Sequence, residues 1–205
     1  MQEKWEKLIK KIIDIYNEQN YIFSKKTAEH LHYINNELGK LKENFKLNIT
    51  KSKQKPVCSY LPAIYAENKY NQKNVIKLIA ELDSKFYWQY GYDNVSKKME
   101  KNYAYTEIIG PKGPVISTKI IIGLVLLAPD YIYPEHSHDK IEESYISLSG
   151  KTAYNNKMLL TKGSFVFNPA GYLHELKTGP DKPVLLLYTW RANDEILENY
   201  EMNLD

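Results

Sequence analysis

The sequence predicts a mainly β domain, an antiparallel sandwich or barrel, with an α-helical region in front of it. Two observations lead to this prediction. Apolar residues recur at helical spacing in the first part of the 205-residue chain, whereas from Tyr103 onward they alternate or form short blocks between turn residues. Short strands without intervening helices are typical of antiparallel sandwiches and barrels.

Three helices are predicted before the β region. The apolar stripe of the first is formed by Trp5, Leu8, Ile9, Ile12 and Tyr16. The second follows Ser24, a good N-cap residue, and its stripe is formed by Ala28, Leu31, Ile34, Leu38 and Leu41. The third covers about Val75 to Leu82, with Asn71 or Asn74 as its N-cap. We expect these helices to pack on the later sheet with their basic faces in solvent.

The β region divides into eight candidate strands. They are Tyr103–Ile109, Lys119–Ala128, Glu143–Leu148, Lys151–Tyr154, Met158–Leu160, Ser164–Asn168, Leu173–Lys177 and Val184–Trp190. Glycine, proline and asparagine turn signals separate most of them, for example at Gly150, Gly163 and Gly179. The sequence contains no long repeat and no low-complexity tract, which favours one β domain.

The charge balance argues against nucleic acid as a partner. The chain has 28 basic and 25 acidic residues, a net charge of +3, and Arg191 is its only arginine. Nucleic-acid binders usually concentrate arginine and lysine, with a larger excess of positive charge.

Neither membrane insertion nor secretion is expected. The longest apolar run, Ile120–Ala128, is too short to span a bilayer. The first twenty residues mix charged and apolar groups, unlike a signal peptide. Cys58 is the only cysteine, so no intrachain disulfide is possible and a cytoplasmic location is expected.

Two of the three histidines in the β region are close in sequence. His136 and His138 are two residues apart, so they project to the same side if the backbone between them is extended. Glu143 and Tyr145 share one face of the next strand by the same rule. The alternate residues of that strand end in aliphatic side chains, which predicts that Glu143 and Tyr145 face a polar interior.

The third histidine, His174, completes a set of metal-binding side chains. Three imidazoles and one carboxylate suit a divalent transition metal such as Fe, Mn, Zn, Ni or Co, and they leave positions open for water or substrate. We therefore predict one such ion per chain, bound by His138, Glu143 and His174, with His136 either as a fourth ligand or as a group that supports the ligands from behind. His30 and His32, on the second helix, are expected to be solvated or hydrogen-bonded groups instead.

Two linked patterns carry these four residues. H-x-H-x4-E-x6-G runs from His136 to Gly150, and G-x5-P-x-G-x2-H runs from Gly163 to His174. Together they resemble the paired motifs of the cupin superfamily, although Thr178 stands where the general pattern often has Asn. The resemblance implies a single jelly-roll β-barrel with a metal in its mouth.

The resemblance also implies a division of the chain. Residues 1–100 would form a helical region that packs on the barrel, residues 101–192 the cupin barrel with its metal site, and residues 193–205 a short C-terminal helix or tail.

A narrower resemblance surrounds the motifs. Tyr105–Pro114, Gly123–Pro129, Tyr133–His138 and Leu187–Arg191 are similar to the cupin dimethylsulfoniopropionate (DMSP) lyases, and the likeness covers about residues 57–192. It implies a carbon–sulfur lyase that splits DMSP, a small zwitterion, into dimethyl sulfide and acrylate by β-elimination. A homodimer is a further expectation from the family.

The same resemblance implies roles for aromatic residues. Tyr145 would be the catalytic base, and Tyr133 is the second candidate for the base or for substrate positioning. Aromatic faces attract a sulfonium cation through cation–π interaction, and the candidates for this substrate-binding wall are Trp190, Tyr188 and Trp88. Ordinary packing in the barrel core is the alternative interpretation of Tyr188 and Trp88.

One departure from the DMSP lyases leaves two candidates for the carboxylate ligand. The stretch between His138 and Glu143 is one residue longer than in that family, so Glu142 is the alternative. The strand alternation and the six-residue count back from Gly150 both favour Glu143.

Two other functions fit the same residues. A cupin with these ligands could instead be a dioxygenase or isomerase acting on a small carboxylate, because metal ligands alone do not select the reaction. An oxygen requirement would separate a dioxygenase from the lyase. The third hypothesis is a non-enzymatic ligand-binding cupin, although the region from Trp5 to Leu41 lacks a convincing DNA-recognition helix.

Overall fold

The computed structural model describes residues 1–19, 24–49, 51–67, 75–92 and 94–200. Its helices are α1 (Gln2–Asn17), α2 (Lys25–Glu43), α3 (Leu61–Glu67), α4 (Val75–Leu82), α5 (Lys97–Asn102) and α6 (Asp194–Glu198). Its strands are β1 (Tyr103–Gly110), β2 (Val115–Ile116), β3 (Ile121–Leu127), β4 (Ile132–His136), β5 (Glu142–Ser149), β6 (Thr152–Tyr154), β7 (Met158–Leu160), β8 (Phe165–Asn168), β9 (His174–Thr178) and β10 (Val184–Arg191). Across these ranges, no helix has both the length and the apolar character that a bilayer crossing requires.

The strands form two sheets. The six-stranded sheet has the order β2-β1-β3-β10-β5-β8, and the four-stranded sheet has the order β4-β9-β6-β7. The described pairs are antiparallel, apart from the short parallel pair of β1 with β2. One buried cluster contains residues of both sheets, such as Tyr145 of β5 and Leu176 of β9. The prediction of a mainly β domain with helices in front of it is confirmed.

Both faces of the six-stranded sheet are buried, and strand alternation decides which residue enters which core. On β10, Leu186, Tyr188 and Trp190 face the four-stranded sheet and form an inner core. Leu185 and Leu187 face the helices and join an outer core. This two-sided burial explains why β10 reads as a continuous apolar run in the sequence.

The helices cover the outer face of the six-stranded sheet. The stripe on α1 is buried as predicted, and Ser24 accepts a hydrogen bond from the backbone N–H of Thr27, which confirms it as the N-cap of α2. The prediction for Ala28 was wrong, because that residue is exposed while Thr27 and His30 are buried. The predicted helix from Val75 is confirmed, whereas its expected N-caps, Asn71 and Asn74, lie outside the described residues.

Polar contacts tie the helical layer to the sheet. The buried imidazole of His30 lies 3.3 Å from Glu142 Oε2 and 3.0 Å from Ser144 Oγ, and Arg191 donates to the same Glu142 oxygen at 3.2 Å. The hydrogen-bonded state expected for His30 is confirmed. Glu142 therefore points toward the helices and away from the inner core.

The sequence patterns missed several short elements. Strand β4 contains Pro134, which lacks the N–H that a central strand needs, and β4 accordingly lies at the edge of its sheet. Strand β2 has two residues, and α5 has six and begins after the N-cap Ser96. The division of the chain at residues 100 and 192 stays a prediction.

Candidate metal centre

Four side chains from separate parts of the β domain meet in the inner core. One ligand atom from each of His136, His138, Glu143 and His174 lies within 4.8 Å of the other three. His136 ends β4 and pairs with His174 of β9, His138 lies in the loop after β4, and Glu143 is the second residue of β5. The fold thus brings together the four residues that the two sequence patterns single out.

Backbone hydrogen bonds orient two of the imidazoles. Nδ1 of His136 lies 2.8 Å from the carbonyl oxygen of Pro134, and Nδ1 of His174 lies 3.0 Å from that of Tyr172. A carbonyl accepts only, so Nδ1 carries the proton in each ring. Nε2 of His136 then keeps its lone pair, whereas Nε2 of His174 faces the Glu143 carboxylate, which raises the pKa of His174 despite its burial. This arrangement, in which a backbone carbonyl fixes the tautomer, is the usual support for a metal-binding histidine.

The orphaned imidazole nitrogens fit a metal ion. Nε2 of His136 and Nε2 of His138 are buried and have no hydrogen-bond partner among the residues that the structure describes. Burial, with the nearby His174, lowers the pKa of His136 to about 3, and burial also lowers the pKa of His138. Both rings are therefore neutral, the state in which histidine binds metals. The donor set could hold a divalent transition metal.

Neutral donors hold the Glu143 carboxylate in place. The indole N–H of Trp190 donates to Oε1 at 2.7 Å, and the amide of Asn168 donates to Oε2 at 3.1 Å. His174 Nε2 lies 2.9 Å from Oε2. Burial alone would raise the pKa of Glu143, but its histidine neighbours, His138 and His174, hold that pKa well below its usual range. Glu143 is thus a carboxylate aimed at the imidazoles, whereas Glu142 faces the helices.

Tyr145 and Tyr133 both reach this centre. The Tyr145 hydroxyl lies 3.4 Å from His174 Nε2. The Tyr133 ring lies edge-on to His136 at 4.7 Å between centroids, and its hydroxyl is 2.6 Å from that of Tyr92. Burial raises the pKa of both phenols well above its usual value, and for Tyr145 the nearby Glu143 adds to that effect.

The three residues predicted to form the substrate-binding wall do not all lie together in the structure. The Trp190 ring lies 4.9 Å from that of His138, and Tyr188 packs edge-on to Trp190 at 5.4 Å. Trp88 lies apart from the other two, as ordinary core packing would place it. Trp88 belongs to the outer core beside the helices, fully buried and in the same cluster as Trp5, on the other side of the six-stranded sheet.

Sequence reasoning missed two supporting residues. Asn168 of β8 pairs with Glu143 of β5 across the sheet, and its amide oxygen accepts a hydrogen bond from the Tyr154 hydroxyl of β6. That bond leaves the Asn168 NH₂ group to face the carboxylate. Because both contacts arise from pairing between distant strands, nothing local in the sequence marks these residues as part of the site.

Comparison with known proteins finds a family whose sequence pattern matches most of this chain. The dimethylsulfoniopropionate lyase family matches residues 29–186. A protein of Cereibacter sphaeroides that carries the name of a DMSP lyase, DddL, is 41% identical over 128 residues. The aligned part is 62% of this chain and 55% of the relative, so it spans little more than half of the relative's length.

Two crystal structures share the fold. One, of the DMSP lyases RdDddP and RnDddQII, superimposes with a TM-score of 0.68 at 16% identity and covers 93% of each chain. The other, of the DMSP lyase DddQ from Ruegeria pomeroyi DSS-3, gives a TM-score of 0.62 at 20% identity and covers 82% of this chain and 88% of that chain. At such low identity these matches show a shared fold and nothing more.

Proposed function

The chain belongs to the dimethylsulfoniopropionate lyase family, and from this premise we propose that it cleaves DMSP into dimethyl sulfide and acrylate at the His136–His138–Glu143–His174 cluster. One observation carries the proposal. A phenol, Tyr145, lies within the metal-binding cluster, 3.4 Å from one of its imidazole nitrogens. A small carboxylate bound there would have a general base beside it.

The four clustered residues would hold one divalent ion. A bound ion would polarise the substrate carboxylate and, by its charge, favour the phenolate form of Tyr145. The three imidazoles and the Glu143 carboxylate suit Fe, Mn, Zn, Ni or Co, and this donor set does not choose among them.

Tyr145 is proposed as the base of a β-elimination. Its oxygen would take the proton from the carbon next to the carboxylate, and the C–H electron pair would form the carbon–carbon double bond. The bond between the neighbouring carbon and sulfur would break, so that sulfur leaves with its electron pair as neutral dimethyl sulfide. The proton on Tyr145 then returns to solvent, and the atoms balance without an oxidant or reductant.

Aromatic residues would receive the sulfonium end. Trp190 and Tyr188 line the inner core next to His138, and a cation close to such rings is stabilised by cation–π attraction. Trp190 would also keep Glu143 in position through its indole N–H. Tyr133, beside His136, would help to orient the substrate.

The reaction class is tested by product analysis without oxygen. Purified protein loaded with each candidate ion is given DMSP in an anaerobic chamber, and headspace dimethyl sulfide and dissolved acrylate are measured together. We expect both products in equal amounts, with the same rate when air is admitted. A requirement for oxygen, or no product with any of the ions, would contradict the proposal and favour another reaction on a small carboxylate.

The expected homodimer and the cytoplasmic location stay predictions.

Removal of the Asn168 amide should weaken metal binding. Asn168→Ala deletes a donor to Glu143, and changes of this kind next to a metal ligand typically lower metal affinity by about 10–100-fold. Tyr154→Phe should act in the same direction with a smaller effect, since it frees the Asn168 amide to turn. Competition with a chromogenic chelator measures the affinity, with the exposed Asn44→Ala as control. Wild-type affinity in Asn168→Ala would remove Asn168 from this role.

A further inference from the structure

The candidate metal centre is buried, yet one of its four residues is partly exposed to solvent. His136, Glu143 and His174 are fully buried, and His138 is partly exposed. A substrate must pass from solvent to these residues, so the surface beside His138 is where a route is expected.

A cavity opens at that place. It has a volume of about 940 Å³ and includes His138 in its lining. One side is formed by the loop of residues 137–141. The other side is formed by the segment of residues 193–200, here called the C-terminal wall, which contains α6 and contributes Ile196, Asn199 and Tyr200 to the lining.

The C-terminal wall is firmly anchored at Tyr200. The Tyr200 hydroxyl donates to Glu107 Oε1 at 2.5 Å and lies 3.1 Å from the hydroxyl of Tyr105. The Lys112 ammonium lies 4.3 Å from the centroid of the Tyr200 ring. Glu107 is 3% exposed, and a buried carboxylate is costly unless it is hydrogen-bonded. The bond between Tyr200 and Glu107 therefore fixes the wall on the β domain.

Tyr200 also contacts the residue that links the wall to the centre. Its ring packs edge-on against Trp190 at 4.9 Å. Trp190 in turn bonds Glu143 and lies 4.9 Å from the His138 ring. The position of the wall thus sets the space available beside the centre. The family match ends at residue 186, so this wall lies outside the matched region.

We propose that this cavity is the substrate entrance and that the C-terminal wall, acting through Tyr200 and Trp190, limits the size of the groups on the sulfonium sulfur. The size limit rests on the proposed function, whereas the route does not depend on it. Larger alkyl groups at sulfur would clash with Trp190, whose ring is kept in place by its contact with Tyr200.

The route is tested without metal and without turnover. Metal-free protein is treated with diethyl pyrocarbonate, and peptide mass spectrometry follows the modification of His138 relative to the exposed His32. We expect Asn199→Trp, which narrows the cavity, to slow modification of His138 by about tenfold. Tyr200→Ala should speed it. Asn44→Trp, the same substitution at the exposed end of α2, should behave as wild type.

The rate at which His138 is modified in Asn199→Trp decides whether the cavity is the entrance. Modification of His138 at the wild-type rate in folded Asn199→Trp would overturn the entrance, because the narrowed cavity would then not lie on the route. Circular dichroism and thermal melting establish that each variant is folded. Tyr200→Phe keeps the ring and loses the bond to Glu107, so it gives a milder version of the Tyr200→Ala result.

The size limit is tested with two substrates. The ratio of kcat/KM for DMSP to that for its diethylsulfonio analogue should fall by about tenfold in Tyr200→Ala, since one methylene in a pocket is worth at least that factor. An unchanged ratio would overturn the size limit even if the labelling supports the entrance. No turnover of either substrate by wild-type protein would reject the proposed function, and the labelling result would still decide the route.

Discussion

Tyr145→Phe is expected to keep its metal and to lose turnover by about 10²–10⁴-fold, the usual contribution of a general base. The substitution removes one oxygen, 3.4 Å from His174 Nε2, and leaves the buried ring in place. The four proposed ligands are untouched, so metal content should match that of wild type. Dimethyl sulfide release at saturating DMSP, together with metal analysis of the same sample, measures both quantities.

The control for Tyr145→Phe should be a buried tyrosine that lies away from the metal centre. Tyr131→Phe serves as control, because Tyr131 is buried in the inner core and is not among the residues placed in the site. Its rate should remain close to wild type. A near-normal rate in Tyr145→Phe would show that another group takes the proton, and Tyr133→Phe would be the next variant to measure.

His174→Ala is expected to lose most of its bound metal. The substitution removes one of three imidazoles, and it also removes the group 2.9 Å from Glu143 Oε2. Glu143 would keep its bonds from Trp190 and Asn168 but lose its nearest imidazole, and the three remaining ligands would bind an ion more weakly. Metal analysis after gel filtration, with turnover measured in parallel, tests this expectation.

His32→Ala is the matched control for that variant. His32 is an exposed histidine on α2, so its removal should leave metal content unchanged. Full metal occupancy in His174→Ala would exclude His174 from the ligands, and His136, His138 and Glu143 would then have to suffice.

Local patterns in the sequence predicted much of the fold. The stripe on α1, the N-cap Ser24 and most strand positions depend on spacing between neighbours in the chain, and these predictions agree with the structure. The same holds for the outward direction of Glu142, because alternation along β5 separates it from Glu143.

Features that depend on contacts between residues far apart in the chain could not be predicted from the sequence. The sequence left Trp88 as a candidate either for the substrate-binding wall or for ordinary packing, because nothing local shows which face of a sheet an aromatic residue will cover. Asn168 supports Glu143 only because β8 pairs with β5, and Tyr154 reaches Asn168 from the other sheet. The contact of Tyr200 with Glu107 joins residues 93 positions apart. Each of these contacts is decided by how the sheets and the C-terminal wall pack together.

The most direct test of the central claim is a metal titration. Wild-type protein is stripped of metal, a divalent ion is added in steps, and the rate of dimethyl sulfide release from DMSP is plotted against ions bound per chain. We predict no release from the stripped protein and a rise that levels off at one ion per chain, with Tyr145→Phe remaining close to zero throughout. Release at the full rate from stripped protein would contradict the account, because the cluster of His136, His138, Glu143 and His174 would then have no part in the reaction.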